Sequence, residues 1–130
     1  MTQVTRKQAD GILPFLDRFE RGEISAGEWQ HESGQLPFFG PSESYLEFYK
    51  ALYEHGWVVP FDWSKWQDEA QRYVESPEKI DTADAATVQK LFTTHARADR
   101  FCEGHLAEMF RSGHILCLLR RLRVLRDELE

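Results

Sequence analysis

Apolar residues recur every three to four positions along most of this chain, which is the spacing of helices that bury one face. Such stripes cover residues 7–20, a segment that begins at 42–44, a third after Asp62, a fourth that begins at 81–84, a short one at 105–112 and a last one at 114–129. Pro14 has to lie in the early turns of the first helix or kink it. The pattern predicts a compact, mostly α-helical bundle of five to six helices.

Capping signals indicate where two of these helices begin. Ser44 and Glu47 have the S-x-x-E spacing of a capping box, which predicts the start of the second helix. Asp62 is a typical N-cap for the third helix, and Phe61 and Trp66 stand at the two positions of a hydrophobic staple around it. We therefore expect these side chains to define both helix starts.

The segment 22–41 does not follow the helical pattern. It contains four glycines and two prolines, together with the aromatic residues Trp29, Phe38 and Phe39. Twenty residues are long for a loop without structure of its own in a small domain. The segment is therefore expected either to pack down through its aromatic side chains as an irregular loop or to form a minor β element, a short hairpin.

The 130 residues of the chain, 42% of them hydrophobic, are enough for one domain with a real core, so we expect a single domain over 1–130.

The charge of the chain is unevenly distributed. The net charge is −6, and residues 1–96 carry nine basic against 16 acidic side chains. Residues 97–130 carry seven basic and six acidic ones, and every basic residue there is Arg. An acidic protein repels phosphate on average, which argues against general binding to nucleic acids or anionic membranes.

The last helix carries most of these arginines. They are spread around more than half of its circumference and are followed directly by acidic residues, so the pattern favours a solvated face over a nucleic-acid interface. The four arginines are Arg120, Arg121, Arg123 and Arg126. The edge of the same helix between Cys117 and Val124 could support a homodimer.

The sequence predicts a cytoplasmic protein. Its start is polar and resembles no secretory signal, and its longest apolar run, 115–119, is far shorter than a membrane span. Cys102 and Cys117 are the only cysteines, and they do not form a C-x-x-C pair. Two such cysteines in an acidic chain indicate reduced thiols rather than a disulfide framework.

Polar residues with chemical potential concentrate in one stretch, 93–106. If one helix continued through it, His95, Asp99 and Glu103 would align along one side at i, i+4 and i+8. The candidate ligand-binding residues of this stretch are His95, Arg97, Asp99, Arg100, Glu103 and His105.

Three interpretations of this stretch compete. In the first, Arg97 and Arg100 bind a small anion, held in place by Asp99 and Glu103, while His95 and His105 complete the wall. In the second, His95, Asp99, Glu103 and His105 hold a metal ion for hydrolysis, although neither H-E-x-x-H nor another metal motif occurs. In the third, the residues form a buried structural network, with an Arg100–Glu103 pair and both histidines in the core.

Several short motifs of the sequence resemble those of a small bacterial family catalogued as domain of unknown function 6508. They are Leu13-Pro14-Phe15-Leu16, Pro60-Phe61-Asp62-Trp63, Ser112-Gly113-His114-Ile115 and, longest of all, His95-x-Arg97-x-Asp99-Arg100-Phe101-x-Glu103-Gly104-His105-Leu106. The resemblance covers residues 12 to about 123. It implies a complete domain with a shared site or packing centre at 93–106, and it implies no activity.

Taken together, the sequence favours a bacterial cytoplasmic protein that acts as a non-catalytic binding module. Its partner would be a small anionic ligand or another protein, and we expect no cofactor and no favoured metal. The alternative from another class is a metal-assisted hydrolase that uses the histidines and carboxylates named above. A third alternative, an immunity- or antitoxin-like partner protein, rests on size and charge alone.

Overall fold

The computed structural model describes residues 3–31, 34 and 36–130. The helices of this part of the chain are α1 (Arg6–Ile12), α2 (Pro14–Glu20), α3 (Glu43–Glu54), α4 (Gln67–Glu75), α5 (Ala85–Ala98), α6 (His105–Arg111) and α7 (His114–Leu125). Two strands, β1 (Gly27–Gln30) and β2 (Phe38–Pro41), and 3-10 turns at Trp63–Trp66, Pro77–Thr82 and Arg126–Glu128 complete it. The prediction of a mostly α-helical fold with a minor β element is confirmed.

The first predicted helix is two short helices. Leu13 is at once the C-cap of α1 and the residue before α2, and Pro14 occupies the first turn of α2. Proline has no N–H and therefore fits a first turn without losing a helical hydrogen bond. The proline thus starts a new helix instead of kinking the old one, and Thr5 caps α1 through a capping box with Gln8.

Residues 22–41 contain a hairpin, which decides between the two expectations for this segment. β1 and β2 pair antiparallel, with Gly27 opposite Pro41 and Trp29 opposite Phe39. The rings of Trp29 and Phe39 pack edge to face with centroids 5.8 Å apart. Cross-strand aromatic pairs stabilise such ladders. Positions 32, 33 and 35 of the predicted segment lie outside the described residues.

The helix caps differ from those that the sequence predicts. Ser42 caps α3, with its hydroxyl accepting from the Tyr45 N–H at 3.0 Å. Ser44 instead bonds to the backbone of Ser25, which ties the start of the hairpin segment to α3. The predicted capping box at Ser44 is therefore wrong, because the residue that caps α3 is Ser42, two positions earlier.

Beyond Asp62, the chain first forms the 3-10 turn and only then α4. The Asp62 carboxylate accepts from the Ser64 hydroxyl at 2.9 Å instead of capping a backbone N–H. The predicted staple contact does form, because the rings of Phe61 and Trp66 meet with centroids 6.1 Å apart. The side chains that flank this turn are thus in place, although Asp62 does not act as the cap.

The core lies between α5, α7 and the helices packed around them. The predicted stripe of α7 is buried at every position, namely Ile115, Leu118, Leu119, Leu122 and Leu125. Large rings fill the rest, and Trp57, fully buried, donates from Nε1 to the Gln8 carbonyl at 2.8 Å. None of the described helices has the length and apolar character that crossing a membrane requires.

Candidate functional site

The polar stretch 93–106 does not form one helix. α5 ends at Ala98, residues 99–104 form a turn, and α6 begins at His105 after Gly104, whose φ is +83°. A Cβ at Gly104 would lie 2.8 Å from Cζ2 of Trp29. The predicted alignment of His95, Asp99 and Glu103 along one helix face is therefore wrong, because the helix ends before Glu103 is reached.

Three histidines from three helices form a hydrogen-bonded chain. Nδ1 of His95 lies 3.0 Å from Nε2 of His105, and Nε2 of His95 lies 3.1 Å from Nε2 of His114. His95 lies on α5, while the other two are the first residues of α6 and α7. The chain therefore joins the three helices through their imidazoles.

Burial keeps these imidazoles neutral. It lowers the pKa of His95 well below its usual value, and the two neighbouring imidazoles lower it further. Burial also lowers the pKa of His105, and it lowers that of His114 to about 4. When all three imidazoles are neutral, one nitrogen of each contacting pair carries a proton and donates it, and the other nitrogen accepts it. Both ring nitrogens of His95 can therefore form a hydrogen bond.

Asp99 connects α3 to α6. One of its oxygens accepts from the Tyr45 hydroxyl at 3.1 Å, and the other accepts from the Leu106 N–H at 3.0 Å. Burial first, and then the Asp99 carboxylate, raise the pKa of the Tyr45 hydroxyl, which stays protonated as the donor. Asp99 thus holds two backbone elements together.

Glu103 binds the hairpin. Its Oε1 accepts from the Phe39 N–H of β2 at 2.9 Å. Neither Asp99 nor Glu103 forms an ion pair with Arg97 or Arg100 among the described residues. The carboxylates therefore position backbone segments, and they do not orient the two arginines as the sequence suggests.

The two arginines lie apart from this network. The Arg100 guanidinium is exposed and stands 5.8 Å from the centroid of the Tyr53 ring. Tyr49 and Tyr53 share a hydrogen bond of 3.3 Å between their hydroxyls. Arg97 is half-buried at the end of α5, and its guanidinium has no hydrogen-bond partner in the described part of the chain. The six candidate residues thus do not meet at one point.

A cavity of about 250 Å³ opens between β2, α3 and the 99–104 turn, and we call it the hairpin pocket. Its floor and walls combine apolar and aromatic side chains with two carboxylates. The lining residues are Phe39, Pro41, Tyr45, Leu46, Tyr49, Asp99, Glu103 and Gly104. Of the six candidates from the sequence, Asp99 and Glu103 line this pocket.

Exposed apolar side chains concentrate around the same elements. Leu46, 52% exposed, lies in the pocket wall, and Phe101, 81% exposed, lies on the 99–104 turn. The other large exposed hydrophobic residues of the described chain are Trp29, Leu36 and Phe38 in the hairpin segment and Val124 on α7. Grouped exposed apolar residues are typical of binding surfaces, whereas single ones are ordinary.

A smaller cavity lies between α4, α5 and the start of α6. It has a volume of about 80 Å³ and is bounded by α4 and by His95 and His105. The histidine chain therefore borders this cavity and stays outside the hairpin pocket. A space of this size holds a water molecule or two and is too small for an organic ligand.

The residues of the metal interpretation have separate partners. His95 directs its two ring nitrogens to two different imidazoles, while Asp99 and Glu103 accept from backbone N–H groups. Within the described residues, no group of three His, Cys, Asp or Glu side chains is arranged to hold a metal ion. Both cysteines are free thiols. The geometry therefore lends no support to the metal-assisted hydrolase.

The sequence-predicted set lacks three residues that matter in this region. His114 completes the histidine chain, while Tyr45 and Tyr49 form one wall of the hairpin pocket. One signal for His114 is present in the sequence, since Gly104-His105 and Gly113-His114 are the same dipeptide at two helix starts, with φ of +83° and +85° at the glycines. The tyrosines carry no such signal, because a helical stripe of rings also describes an ordinary core.

Comparisons with known proteins identify the family of the chain. The model of a family described as a family of unknown function, DUF6508, matches residues 4–128, which is nearly the whole chain. No curated protein and no solved structure matches the chain. The family match supports the resemblance that the sequence motifs carry, and it brings no activity with it. The chain belongs to the family of unknown function DUF6508.

Proposed function

We propose that this protein is a non-catalytic binding module and that the hairpin pocket is its binding site. The observation that carries the proposal is the pocket itself, which combines aromatic walls with two carboxylates at the junction of three elements. Ligand sites are concave and mostly apolar, with a few placed polar groups. A volume of about 250 Å³ suits a small molecule or one side chain of a protein partner.

The lining argues for binding rather than catalysis. It contains no His, Cys, Ser or Lys among the described residues, so no thiol, serine hydroxyl, amine or imidazole base faces the cavity. Both oxygens of Asp99 accept hydrogen bonds, and the Tyr45 hydroxyl is the donor to one of them. Groups that are satisfied in this way hold a shape, and they are not poised to exchange protons with a substrate.

The pocket is built before any ligand arrives. Glu103 holds β2 at Phe39, Asp99 holds the start of α6, and the Tyr45 hydroxyl connects Asp99 to α3. A preformed site avoids the cost of ordering loops upon binding. The three hydrogen bonds therefore support a role in recognition.

The lining of the pocket does not favour the anionic ligand that the sequence predicts. An anion in the hairpin pocket would face Asp99 and Glu103, while Arg97 and Arg100 do not line the pocket. The small anionic ligand therefore stays a prediction that this pocket does not favour. A protein partner agrees with the exposed apolar residues around the pocket. The cytoplasmic location and the immunity-like role stay predictions.

The test is a fragment screen by two-dimensional ¹H–¹⁵N NMR, with small cationic, anionic and neutral compounds. We expect a subset of compounds to shift the amide signals of β2, the start of α3 and residues 99–104. Leu46→Trp should fill the pocket mouth and abolish these shifts. Val124→Trp is the matched control, because Val124 is an exposed apolar residue on α7, 65% accessible and outside the pocket lining.

The proposal fails if no fragment shifts these signals at millimolar concentration. It also fails if the fragments that bind keep the same affinity in Leu46→Trp. Shifts confined to the histidine chain and α4, with the hairpin signals unchanged, would also contradict the hairpin pocket as the binding site.

A further inference from the structure

We propose that the hairpin pocket selects a positively charged organic group, an ammonium or a guanidinium. This inference names the ligand class of the site and therefore rests on the proposed function. Three features of the pocket lead to it: the charge of its lining, the orientation of its tyrosines and its size.

The ionisable groups that line the pocket and carry charge at neutral pH are both acids. Asp99 and Glu103 contribute two negative charges, and no lysine, arginine or histidine is part of the lining. Glu103 uses Oε1 to accept from Phe39, while its Oε2 has no protein partner in the described part of the chain. A bound cation could occupy that second oxygen without breaking the bond to the hairpin.

Aromatic side chains form much of the remaining lining. Tyr45 and Tyr49 lie nearly parallel, with ring centroids 6.3 Å apart and an interplanar angle of 17°. Ring faces attract cations through their quadrupole, and quaternary ammonium groups are recognised in this way. Carboxylates together with ring faces favour a cation more strongly than either would alone.

Two arginines lie over aromatic rings near the pocket, one over Phe39 of the lining and one over Tyr53, which is outside it. The Arg111 guanidinium lies 5.8 Å from the centroid of Phe39, and the Arg100 guanidinium lies 5.8 Å from that of Tyr53. Arg111 is also paired with Glu108 at 3.5 Å. Because both guanidinium groups lie outside the lining, they leave the two pocket carboxylates unpaired by any arginine.

The volume limits the ligand. About 250 Å³ accommodates a choline-sized ion or the end of a lysine or arginine side chain, and excludes a nucleotide or a larger cofactor. The same cationic chemistry can come from a free small molecule or from a side chain of a protein partner. Leu46, exposed in the pocket wall, and the exposed Trp29 ring, which packs on Phe39, would add contacts for the protein partner.

The experiment compares isosteric probes that differ in charge. Calorimetry or NMR titration gives the Kd for choline and for its neutral analogue 3,3-dimethyl-1-butanol, with methylguanidinium and inorganic phosphate as further probes. We expect choline or methylguanidinium to bind about tenfold more tightly than the neutral alcohol, and phosphate not to bind. Raising the salt concentration from 20 to 200 mM should weaken the binding of the cation and leave the binding of the neutral alcohol unchanged.

Conservative variants test the carboxylates. Asp99→Asn with Glu103→Gln removes both charges and keeps oxygen acceptors for the Leu106 and Phe39 N–H groups, so the pocket should stay folded. We expect the Kd of the cation to rise about five- to tenfold and that of the neutral alcohol to stay unchanged. Glu128→Gln, a charge removal in the C-terminal 3-10 turn, is the control and should leave both affinities as they are.

The outcomes separate the two proposals. If fragments bind in the pocket but the alcohol binds as tightly as choline, or phosphate binds better, the cation inference is overturned and the binding module stands. If neither ammonium nor guanidinium probes bind while neutral fragments do, the inference is overturned as well. If no compound of any charge binds, the proposed function itself fails.

A last comparison distinguishes the source of the cation. The probes are n-butylammonium and the capped tripeptide Ac-Leu-Lys-Leu-NH₂, which present the same amine without and with apolar neighbours. A peptide that binds at least tenfold more tightly identifies a protein partner, and equal affinities identify a small molecule. Binding of neither, when the choline pair also fails, overturns the inference.

Discussion

At the scale of single residues, Gly104 decides how the polar stretch is arranged. Its φ of +83° turns the chain between α5 and α6, and the absence of a side chain lets the Trp29 ring of the hairpin pack against it. Glycine adopts this backbone region without steric cost. The residue therefore directs the chain from the 99–103 turn into α6 and at the same time gives the hairpin a place to dock.

We expect Gly104→Ala to destabilise the fold by about 2 kcal/mol or more, because it adds left-handed strain and a contact of 2.8 Å with Trp29. Gly113→Ala is the matched control, since Gly113 has φ of +85° but nothing lies within 4 Å of an added Cβ. The control should lose only about 1 kcal/mol. Urea unfolding of both variants measures the difference. Equal losses would show that the Trp29 contact does not matter.

At the scale of elements, the hairpin depends on the helices that surround it. A two-stranded hairpin is marginally stable by itself in water. This one is held by the Glu103 bond to Phe39, by serine contacts with Ser25 and by Arg111, which donates to the Gly27 carbonyl at 3.1 Å. The pocket exists only while these contacts hold β2 near α3.

We expect Glu103→Ala to loosen the hairpin, because the Phe39 N–H loses its acceptor. Hydrogen exchange of the peptide that contains β2 should be faster by about five- to tenfold, while exchange in α5 and α7 changes little. Glu103→Gln keeps the acceptor and should exchange as the wild type does. Faster exchange in both variants would assign the effect to charge instead of the hydrogen bond.

At the scale of the whole molecule, the histidine chain couples folding to pH. His95, His105 and His114 are neutral in the folded state, because burial lowers the pKa of each. In the unfolded chain an imidazole takes up a proton near pH 6.5. Between that value and the lower folded pKa, only the unfolded state binds the proton, so acid favours unfolding.

We expect the free energy of unfolding to be highest above about pH 7 and to fall steadily toward pH 4. For His114 alone, a shift from 6.5 to about 4 corresponds to about 3 kcal/mol lost over this interval. The carboxylates with lowered pKa, such as Asp84, lose their contribution only as the pH falls below about 4. Urea unfolding at several pH values measures the slope.

His114→Asn serves as the variant for this test. It removes one buried titrating group, so it should be less stable at pH 7 and show a flatter pH dependence between 7 and 4. An unchanged slope of the free energy of unfolding against pH would mean that the histidine chain is not the source of the acid sensitivity. Because the three imidazoles interact, their protons titrate as a set.

Much of the fold was predictable from local pattern. The stripe of α7 predicts its buried face, Asp84 lies within the predicted start of α5 and caps it through Thr87, and Gly113 precedes the last helix. These features depend on residues three or four positions apart, which meet within one helical turn. The start of α3 at Glu43 lies within the predicted range 42–44, but the capping residue is Ser42 and not Ser44, because Ser44 bonds to Ser25 instead.

The sequence by itself determined the helical class, the buried faces and the stretch where polar chemistry concentrates. Only the tertiary structure decided what those polar residues do. It paired His95 with His114, 19 positions away, Asp99 with Tyr45 and Glu103 with Phe39, and it left both arginines outside the pocket. The physical reason is that a hydrogen bond between distant residues depends on how helices and strands pack, and periodicity along the chain carries no information about that packing.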